Sequence, residues 1–241
     1  MGPGKPYNMH ALGDPTTPAG ESAMTEMTET TWEEFVLKAQ HAAEQGDLKA
    51  AEGFLNDAKA LSDGLAENDK RRFLILEMLA DLMEREGRTD DAEKYLLGAV
   101  ECRKTRYGPF HYRYAEGVQR LSSFYFENDR FEESEKLTRD VLKIMEKAYG
   151  PTSEEVGHIA GQLADTTHEL GKHKDAEELY KRAIGIRRHA SGSTDSESVY
   201  LIQRYAALLE ETGRADEAAH MRASAQGKIS GILKKLKPVD D

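Results

Sequence analysis

Apolar side chains recur along this chain at the spacing of amphipathic helices. Between Val156 and Thr167, apolar or small residues occupy positions i, i+3, i+4, i+7 and i+8, and a second stripe runs from Ala176 to Ile186. A stripe of this kind covers one face of a helix. Between the stripes lies Gly171, which can adopt the left-handed conformation that ends a helix without steric cost. The pattern predicts a hairpin of two helices, and no segment shows a competing strand pattern.

The hairpin pattern is repeated. Five segments match one another, and they begin at Gly46, Gly87, Asp129, Gly171 and Gly213. Their starts are 41, 42, 42 and 42 residues apart by subtraction. A second marker, Tyr107-Gly108-Pro109, recurs as Tyr149-Gly150-Pro151 and in degraded form as Ser191-Gly192-Ser193. Because an isolated hairpin cannot bury its apolar stripe, we expect the hairpins to stack. The predicted fold class is all-α, a right-handed α-solenoid of about five hairpins.

The sequence also predicts the limits of the repeats. Residues 1–30 contain four of the seven prolines and no apolar periodicity, which predicts a flexible tail. Residues 1–23 are either native or an addition, since Met24 and Met27 could each be a start. A capping box at Thr31–Glu34 marks the expected first helix, and others lie at Thr152–Glu155 and Thr194–Glu197. We expect the solenoid at residues 31–226, with repeats at about 31–66, 67–108, 109–150, 151–192 and 193–226.

Residues 227–241 form the predicted C-terminal capping helix and tail. Ile229, Ile232, Leu233 and Leu236 have helical spacing and are accompanied by lysines. The preferred interpretation is a helix that covers the open apolar end of the last repeat. The alternative is a basic amphipathic helix that contacts a membrane or a partner.

Charge and composition narrow the function classes. The chain has 33 Lys and Arg against 44 Asp and Glu, a net charge of −11, which argues against a broad nucleic-acid-binding surface. One cysteine allows no intramolecular disulfide, and no stretch approaches the ~18 apolar residues that a membrane span needs. Cys102 falls at the repeat position of Ile144 and Ile186, so we expect it to pack rather than react. These features favour a cytoplasmic protein.

The repeats resemble those of tetratricopeptide-repeat (TPR) proteins, and in particular the 42-residue kinesin light chain type. The likeness is carried by Asp175-Ala176-Glu177 and by Tyr180–Arg187 with the Gly-containing linker after it, and it extends over roughly residues 31–226. It implies a protein-binding module whose first helices line a concave groove. The paired asparagines of the kinesin light chain pattern are replaced here by Glu77-Met78, Gln119-Arg120, Gly161-Gln162 and Gln203-Arg204. The acidic-peptide recognition of that family is therefore not expected.

The groove positions that this resemblance implies are rich in carboxylates. We count nine carboxylates against one arginine, Arg85, while basic residues concentrate on the second helices, at Arg103, Lys104, Arg106, Lys181, Arg182, Arg187 and Arg188. A wall of one sign concentrates ligands of the opposite sign, which predicts a basic or mixed basic and apolar partner segment. The candidate peptide-binding residues are Glu77, Asp81, Glu84, Glu116, Gln119, Phe126, Glu127, Asp165, His168, Glu169, Tyr200, Gln203 and Glu210.

Three alternatives stay open at this point. The carboxylates could be an ordinary solvated face of an acidic protein. The repeats could form a structural unit that associates with itself, so a homo-oligomer is among the partners considered. The N-terminal tail could occupy the groove as an internal ligand.

Other groups of residues give little indication of a metal-binding or catalytic site. His158, His168 and His173 with Asp165 and Glu169 could be imagined as a metal cluster, but the His-Glu-x-x-His signature is absent and ordinary polar surface is favoured. The sequence contains no Gly-rich phosphate loop and no nucleophile elbow. We therefore expect a non-enzymatic adaptor or scaffold with a protein or peptide partner, without cofactor, metal, nucleic acid or membrane.

Overall fold

The computed structural model describes residues 24–190 and 196–223. All regular structure in this part of the chain is helical, in agreement with the predicted all-α class. Within these residues the helices are α1 (Met24–Glu44), α2 (Leu48–Asp63), α3 (Lys70–Glu86), α4 (Thr89–Tyr107), α5 (Tyr112–Glu127), α6 (Phe131–Tyr149), α7 (Glu154–Glu169), α8 (His173–Ala190) and α9 (Ser196–Glu211). Residues 215–223 are also helical.

The chain divides into two compact units, one ending at Leu65 and the other beginning at Ala66. In the first unit α1 packs against α2. Ala39 and Ala42 of α1 and Ala51, Leu55 and Ala58 of α2 are buried, and these small side chains allow close approach of the helices. The side chain of Asp47 caps α2 by accepting a hydrogen bond of 3.0 Å from the backbone N–H of Ala50.

The second unit is a stack of helical hairpins. Helices α3 and α4, α5 and α6, and α7 and α8 form the hairpins, and each hairpin packs against the next through α4 and α5, α6 and α7, and α8 and α9. From α5 onward one continuous apolar core joins the hairpins, with Tyr180, Ile159 and Leu163 almost fully buried within it. Each apolar stripe is thus covered by a neighbouring repeat, as the repeat pattern predicts.

The turn inside each hairpin is made by a residue with positive φ. The five residues that begin the matched segments all have this conformation: Gly46 (81°), Gly87 (73°), Asp129 (59°), Gly171 (68°) and Gly213 (79°). Four are glycines, which adopt it without strain, whereas an L-residue with a Cβ does so at a cost. The prediction that these positions end the first helices is confirmed.

Asp129 therefore offers a direct test of the turn conformation. Asp129→Gly should raise the free energy of unfolding by about 0.5–1 kcal/mol, because the strain of the left-handed backbone is removed while the extra chain entropy of glycine offsets only part of it. Chemical denaturation measures the change. Gly171→Ala is the matched opposite, with an expected loss of about 1 kcal/mol. A loss of stability in Asp129→Gly would contradict this interpretation.

The helix starts differ from the sequence prediction at two places. Helix α1 already includes Met24, the first described residue, so the predicted cap at Thr31 lies inside the helix; no glycine or proline interrupts residues 24–45. Helix α7 is capped by Ser153, whose hydroxyl accepts from the Val156 N–H at 3.3 Å, and not by Thr152. The Thr194 cap, the degraded turn at 191–193, residues 1–23 and the C-terminal capping helix lie outside the described residues.

Candidate functional site

The first helices of the repeats in the second unit, α3, α5, α7 and α9, present side chains to one another; we call this surface the first-helix face. Gln119 on α5 donates a hydrogen bond of 2.9 Å to Gln162 Oε1 on α7. Between α7 and α9, His158 lies 2.6 Å from Glu197. The repeat step of 42 residues places these helices side by side, so that each position faces its equivalent in the next repeat.

Two carboxylates of α3 are held by an arginine of α5. Arg120 Nη2 donates to Asp81 Oδ1 at 2.9 Å and to Glu84 Oε1 at 2.6 Å. Burial raises the pKa of Glu84, although the hydrogen bond from Arg120 opposes the rise. For Arg120, burial acts to lower the pKa, but the hydrogen bonds that it donates to the two carboxylates outweigh this effect and raise the pKa. The three side chains form a compact cluster with one net negative charge.

A second cluster is centred on Asp165 of α7, which is 7% exposed. The Tyr180 hydroxyl donates to Asp165 Oδ1 at 2.6 Å and the Tyr200 hydroxyl donates to Oδ2 at 2.9 Å. Arg204 Nε donates to Oδ1 at 2.9 Å, and its Nη2 donates to Glu169 at 2.5 Å. Burial, followed by the charge of Asp165, raises the pKa of Tyr200 to about 12. Asp165 thus accepts three hydrogen bonds, one from α8 and two from α9.

Glu77 is buried beneath the face rather than displayed on it. It is 4% exposed, and Arg103 from α4 reaches it with Nε to Oε1 at 2.7 Å and Nη2 to Oε2 at 3.1 Å. The same guanidinium donates to the Arg113 carbonyl at 2.9 Å and lies over the Phe73 ring at 4.2 Å. Gly117 leaves room for it, because a Cβ there would lie 2.5 Å from Arg103 Cδ.

These contacts change the charge of the predicted groove. The sequence count of nine carboxylates and one arginine omits Arg120 and Arg204, which lie next to the counted positions and reach back to the preceding repeat. It also places Arg103 on the second helices, whereas its long side chain crosses to Glu77 on a first helix. Most first-helix carboxylates are therefore paired, and the net negative charge of the face is smaller than predicted.

Some predicted residues remain accessible to a ligand. Glu127, Glu116 and Gln203 are exposed, Tyr200 is 46% exposed, and Gln119 and Phe126 are half-buried. Within the described residues no ion pair holds Glu127, and the Arg103 guanidinium comes only within 3.7 Å of Glu116. Glu210 is paired with Arg222 of the last helical segment.

A cavity of about 280 Å³ opens between α5, α7 and α9 and reaches α6. Phe126, Tyr200 and Leu201 contribute apolar wall, and Glu127 and Glu197 contribute carboxylates. Its lining also includes hydroxyl groups that bond to one another: Ser122 Oγ lies 3.0 Å from Ser134 Oγ and 2.5 Å from Thr138 Oγ1. This pocket is not predictable from the sequence, because small polar residues on two helices carry no periodic signal of their own.

The predicted histidine cluster is divided by the structure. His158 pairs with Glu197, and Asp165 and Glu169 are engaged by Arg204. His168, which is 6% exposed, lies instead with His173 and with Glu211, a residue that the sequence grouping does not include. His168 Nε2 is 2.8 Å from Glu211 Oε2.

A regular ladder of ion pairs links successive repeats of the second unit. The basic residue after the turn donates to a glutamate of the preceding second helix: Arg130 to Glu93 at 2.6 Å, Lys172 to Glu135 at 2.5 Å and Arg214 to Glu177 at 2.8 Å. Both members recur every 42 residues. A hydrogen bond from Lys181, together with those from Arg214 and Tyr205, lowers the pKa of Glu177 to about 2. The sequence signal for this ladder is present at the second and seventh positions of the matched segments.

None of the described helices combines the length and the apolar character required to cross a bilayer. Residues 114–189, from α5 to α8, match the family model described as a tetratricopeptide repeat. Comparison of the whole sequence with curated proteins found no match.

Several solved structures are similar in fold. The structure of BtubC (BKLC) from P. vanneervenii is 19% identical, with 90% of this chain and 86% of that chain covered and a TM-score of 0.75. A putative kinesin light chain from Podosopora anserina with nearly identical TPR-like repeats is 17% identical, with 88% and 98% covered and a TM-score of 0.69. The apo form of RapI is 11% identical, with 85% and 72% covered and a TM-score of 0.69. At these identities the likeness shows the fold alone, that of stacked TPR hairpins.

Proposed function

We propose, on the premise that this chain is a tetratricopeptide-repeat protein of the kinesin-light-chain-like type, that it is a non-enzymatic scaffold that binds a partner segment on its first-helix face. TPR hairpins support a protein-interaction role, and a face made of adjacent helices gives an extended surface for a peptide. The proposed partner is basic or mixed basic and apolar.

The observation that carries this proposal is the cavity between α5, α7 and α9. Its apolar wall at Phe126 and Leu201 suits the methylene stem of a lysine or arginine, and Glu127 and Glu197 offer carboxylates to the charged head. Glu127 is the carboxylate that we expect to bind a ligand cation, because it is exposed and forms no ion pair within the described chain. Glu197 is shared with His158 and Arg187.

Most of the other candidate residues have one of three proposed roles. Tyr200, Phe126, Gln119 and Gln203 would contact the partner through rings and amides, with Glu116 as a second accessible carboxylate. Asp81, Glu84 and Glu169 would meet a ligand cation only by sharing it with Arg120 or Arg204. Glu77, Asp165 and His168 are buried, so we assign them to holding the face in shape.

Selection from a random 12-residue peptide library tests the proposal. We expect enrichment of peptides with Lys or Arg next to an apolar residue. For a selected peptide, Glu127→Lys should weaken binding about 10-fold or more in fluorescence anisotropy, because it replaces an attraction in the pocket by repulsion. Raising the salt concentration should weaken the wild-type complex as well.

Glu178→Lys is the matched control, because Glu178 is an exposed glutamate on the second helix α8 and makes no ion pair within the described chain. Binding by this variant should stay within about 2-fold of the wild type. Enrichment of acidic peptides, or equal losses in the two variants, would contradict a basic partner in this pocket.

A further inference from the structure

Three side chains with metal-ligating atoms meet where α7, α8 and α9 come together. One atom from each of His168, His173 and Glu211 lies within 4.8 Å of the other two. The two histidine rings are perpendicular neighbours, with centroids 6.0 Å apart and planes at 69°. The ligand atoms are somewhat farther apart than the ligands of a bound ion would be. Rotation of the Glu211 side chain can bring them closer, because Glu211 is exposed and lies at the end of its helix.

His173 carries a nitrogen that the protein does not use. Its Nδ1 is buried, and no hydrogen-bond partner for it exists among the described residues. Buried polar atoms are nearly always paired, so an unpartnered nitrogen on a histidine of this cluster indicates a group that is not part of the chain.

The surroundings of His168 fix which of its nitrogens could bind an ion. Tyr180 gives its hydroxyl proton to Asp165, so its oxygen is left to accept from His168 Nδ1, 3.4 Å away. When Nδ1 donates in this contact, Nε2 is the nitrogen that faces Glu211, at 2.8 Å. Metal-binding histidines are commonly held in this way, with the second ring nitrogen donating to a protein oxygen.

We propose that His168, His173 and Glu211 form a binding site for a divalent transition-metal ion, with Zn²⁺ as the best-suited probe. Two imidazoles and one carboxylate are a common ligand set for Zn²⁺, and water completes the coordination on the side where Glu211 meets solvent. The ion would lie between His168 Nε2 and Glu211, and any proton that these two groups share in the metal-free protein passes to the buffer on binding.

The bound ion would join the last first helix to the preceding hairpin. Glu211 is the final residue of α9, His168 is in the last turn of α7, and His173 begins α8. Binding would therefore tie the end of α9 to the turn between α7 and α8 and stabilise the folded chain.

The test uses the full chain after removal of metals with a chelator. In competition with a chromophoric indicator, the wild type should bind one Zn²⁺ tightly, and His173→Ala should bind it about 10- to 100-fold more weakly. Zn²⁺ should raise the thermal unfolding midpoint of the wild type and leave that of His173→Ala nearly unchanged. Co²⁺ in the wild type should give the intense visible absorption of four- or five-coordinate geometry.

His158→Ala is the matched control, because this histidine also contacts a glutamate but lies outside the cluster. Its affinity for Zn²⁺ should equal that of the wild type. In the absence of metal His173→Ala should unfold at the wild-type midpoint, which separates loss of a ligand from loss of structure. Equal Zn²⁺ affinities in the wild type and His173→Ala, or a weak octahedral Co²⁺ spectrum, would overturn the proposal.

Discussion

Replacing Arg103 with methionine is expected to lower the free energy of unfolding by about 3–5 kcal/mol, the cost of leaving a buried charge without its partner. Methionine retains much of the stem that packs beside Gly117 but loses the guanidinium that holds both oxygens of Glu77. Urea denaturation at neutral pH measures the loss. Lys104→Met is the control, because Lys104 is exposed and among the described residues forms an ion pair with Glu101 alone, and its effect should stay below about 0.5 kcal/mol.

The loss in free energy of unfolding caused by Arg103→Met should be smaller at acidic pH than at neutral pH. Burial raises the pKa of Glu77, and Arg103 opposes the rise, so its removal should raise that pKa further. A carboxyl group whose pKa is higher in the folded chain than in the unfolded chain destabilises the fold above that pKa, and the penalty disappears as the group takes up a proton. The variant should therefore lose less stability, relative to wild type, at about pH 5 than at pH 7.

A double variant distinguishes the contribution of charge from that of packing at the Glu77–Arg103 ion pair. Glu77→Met combined with Arg103→Met removes both charges and should recover much of the stability that Arg103→Met loses, because well-packed apolar groups can replace a buried ion pair. A loss below about 1 kcal/mol in Arg103→Met, or a double variant less stable than the single one, would show that the pair does not carry this energy.

Asp165→Ala is expected to cost about 3 kcal/mol or more. It removes the common acceptor of Tyr180, Tyr200 and Arg204, and it leaves the Tyr180 hydroxyl, which is completely buried, without that partner. Each buried polar group left unpaired costs about 1–3 kcal/mol. Thermal or chemical unfolding measures the change.

Two further variants define the role of Asp165. Asp165→Asn keeps one acceptor oxygen and should lose clearly less stability than Asp165→Ala. Glu169→Gln weakens the exposed contact of the same arginine and should cost less than about 1 kcal/mol. If Asp165→Ala proved as stable as the wild type but failed to bind a selected basic peptide, Asp165 would be a ligand contact rather than a structural one.

The fold could be predicted from sequence because its signals are local and repeated. The apolar stripes and the turns at Gly171 and its equivalents depend only on residues close together in the sequence. Because they recur every 42 residues, each prediction is supported several times. The N-terminal extent of α1 could not be predicted as well, because residues 24–30 carry no apolar stripe to mark a helix.

The charge of the first-helix face was harder to predict. Whether Glu77 is exposed or buried depends on whether the Arg103 side chain extends from the next helix to contact it. A linear sequence does not give the distance between these two side chains. The pairing of Arg120 with Glu84 likewise joins residues 36 positions apart. Pattern analysis places a residue on a helix face, but long arginine side chains decide which charges on that face are neutralised.

The ladder of Arg130, Lys172 and Arg214 with glutamates of the preceding repeats has a consequence for how this chain can change in length. Because donor and acceptor both recur with the repeat, the junction between any two of these repeats presents the same pair of ends. Duplication or deletion of one whole 42-residue unit would recreate that junction, whereas an insertion of any other length would separate the partners. The ladder is thus preserved when whole repeats are added or removed and is broken when part of a repeat is added or removed.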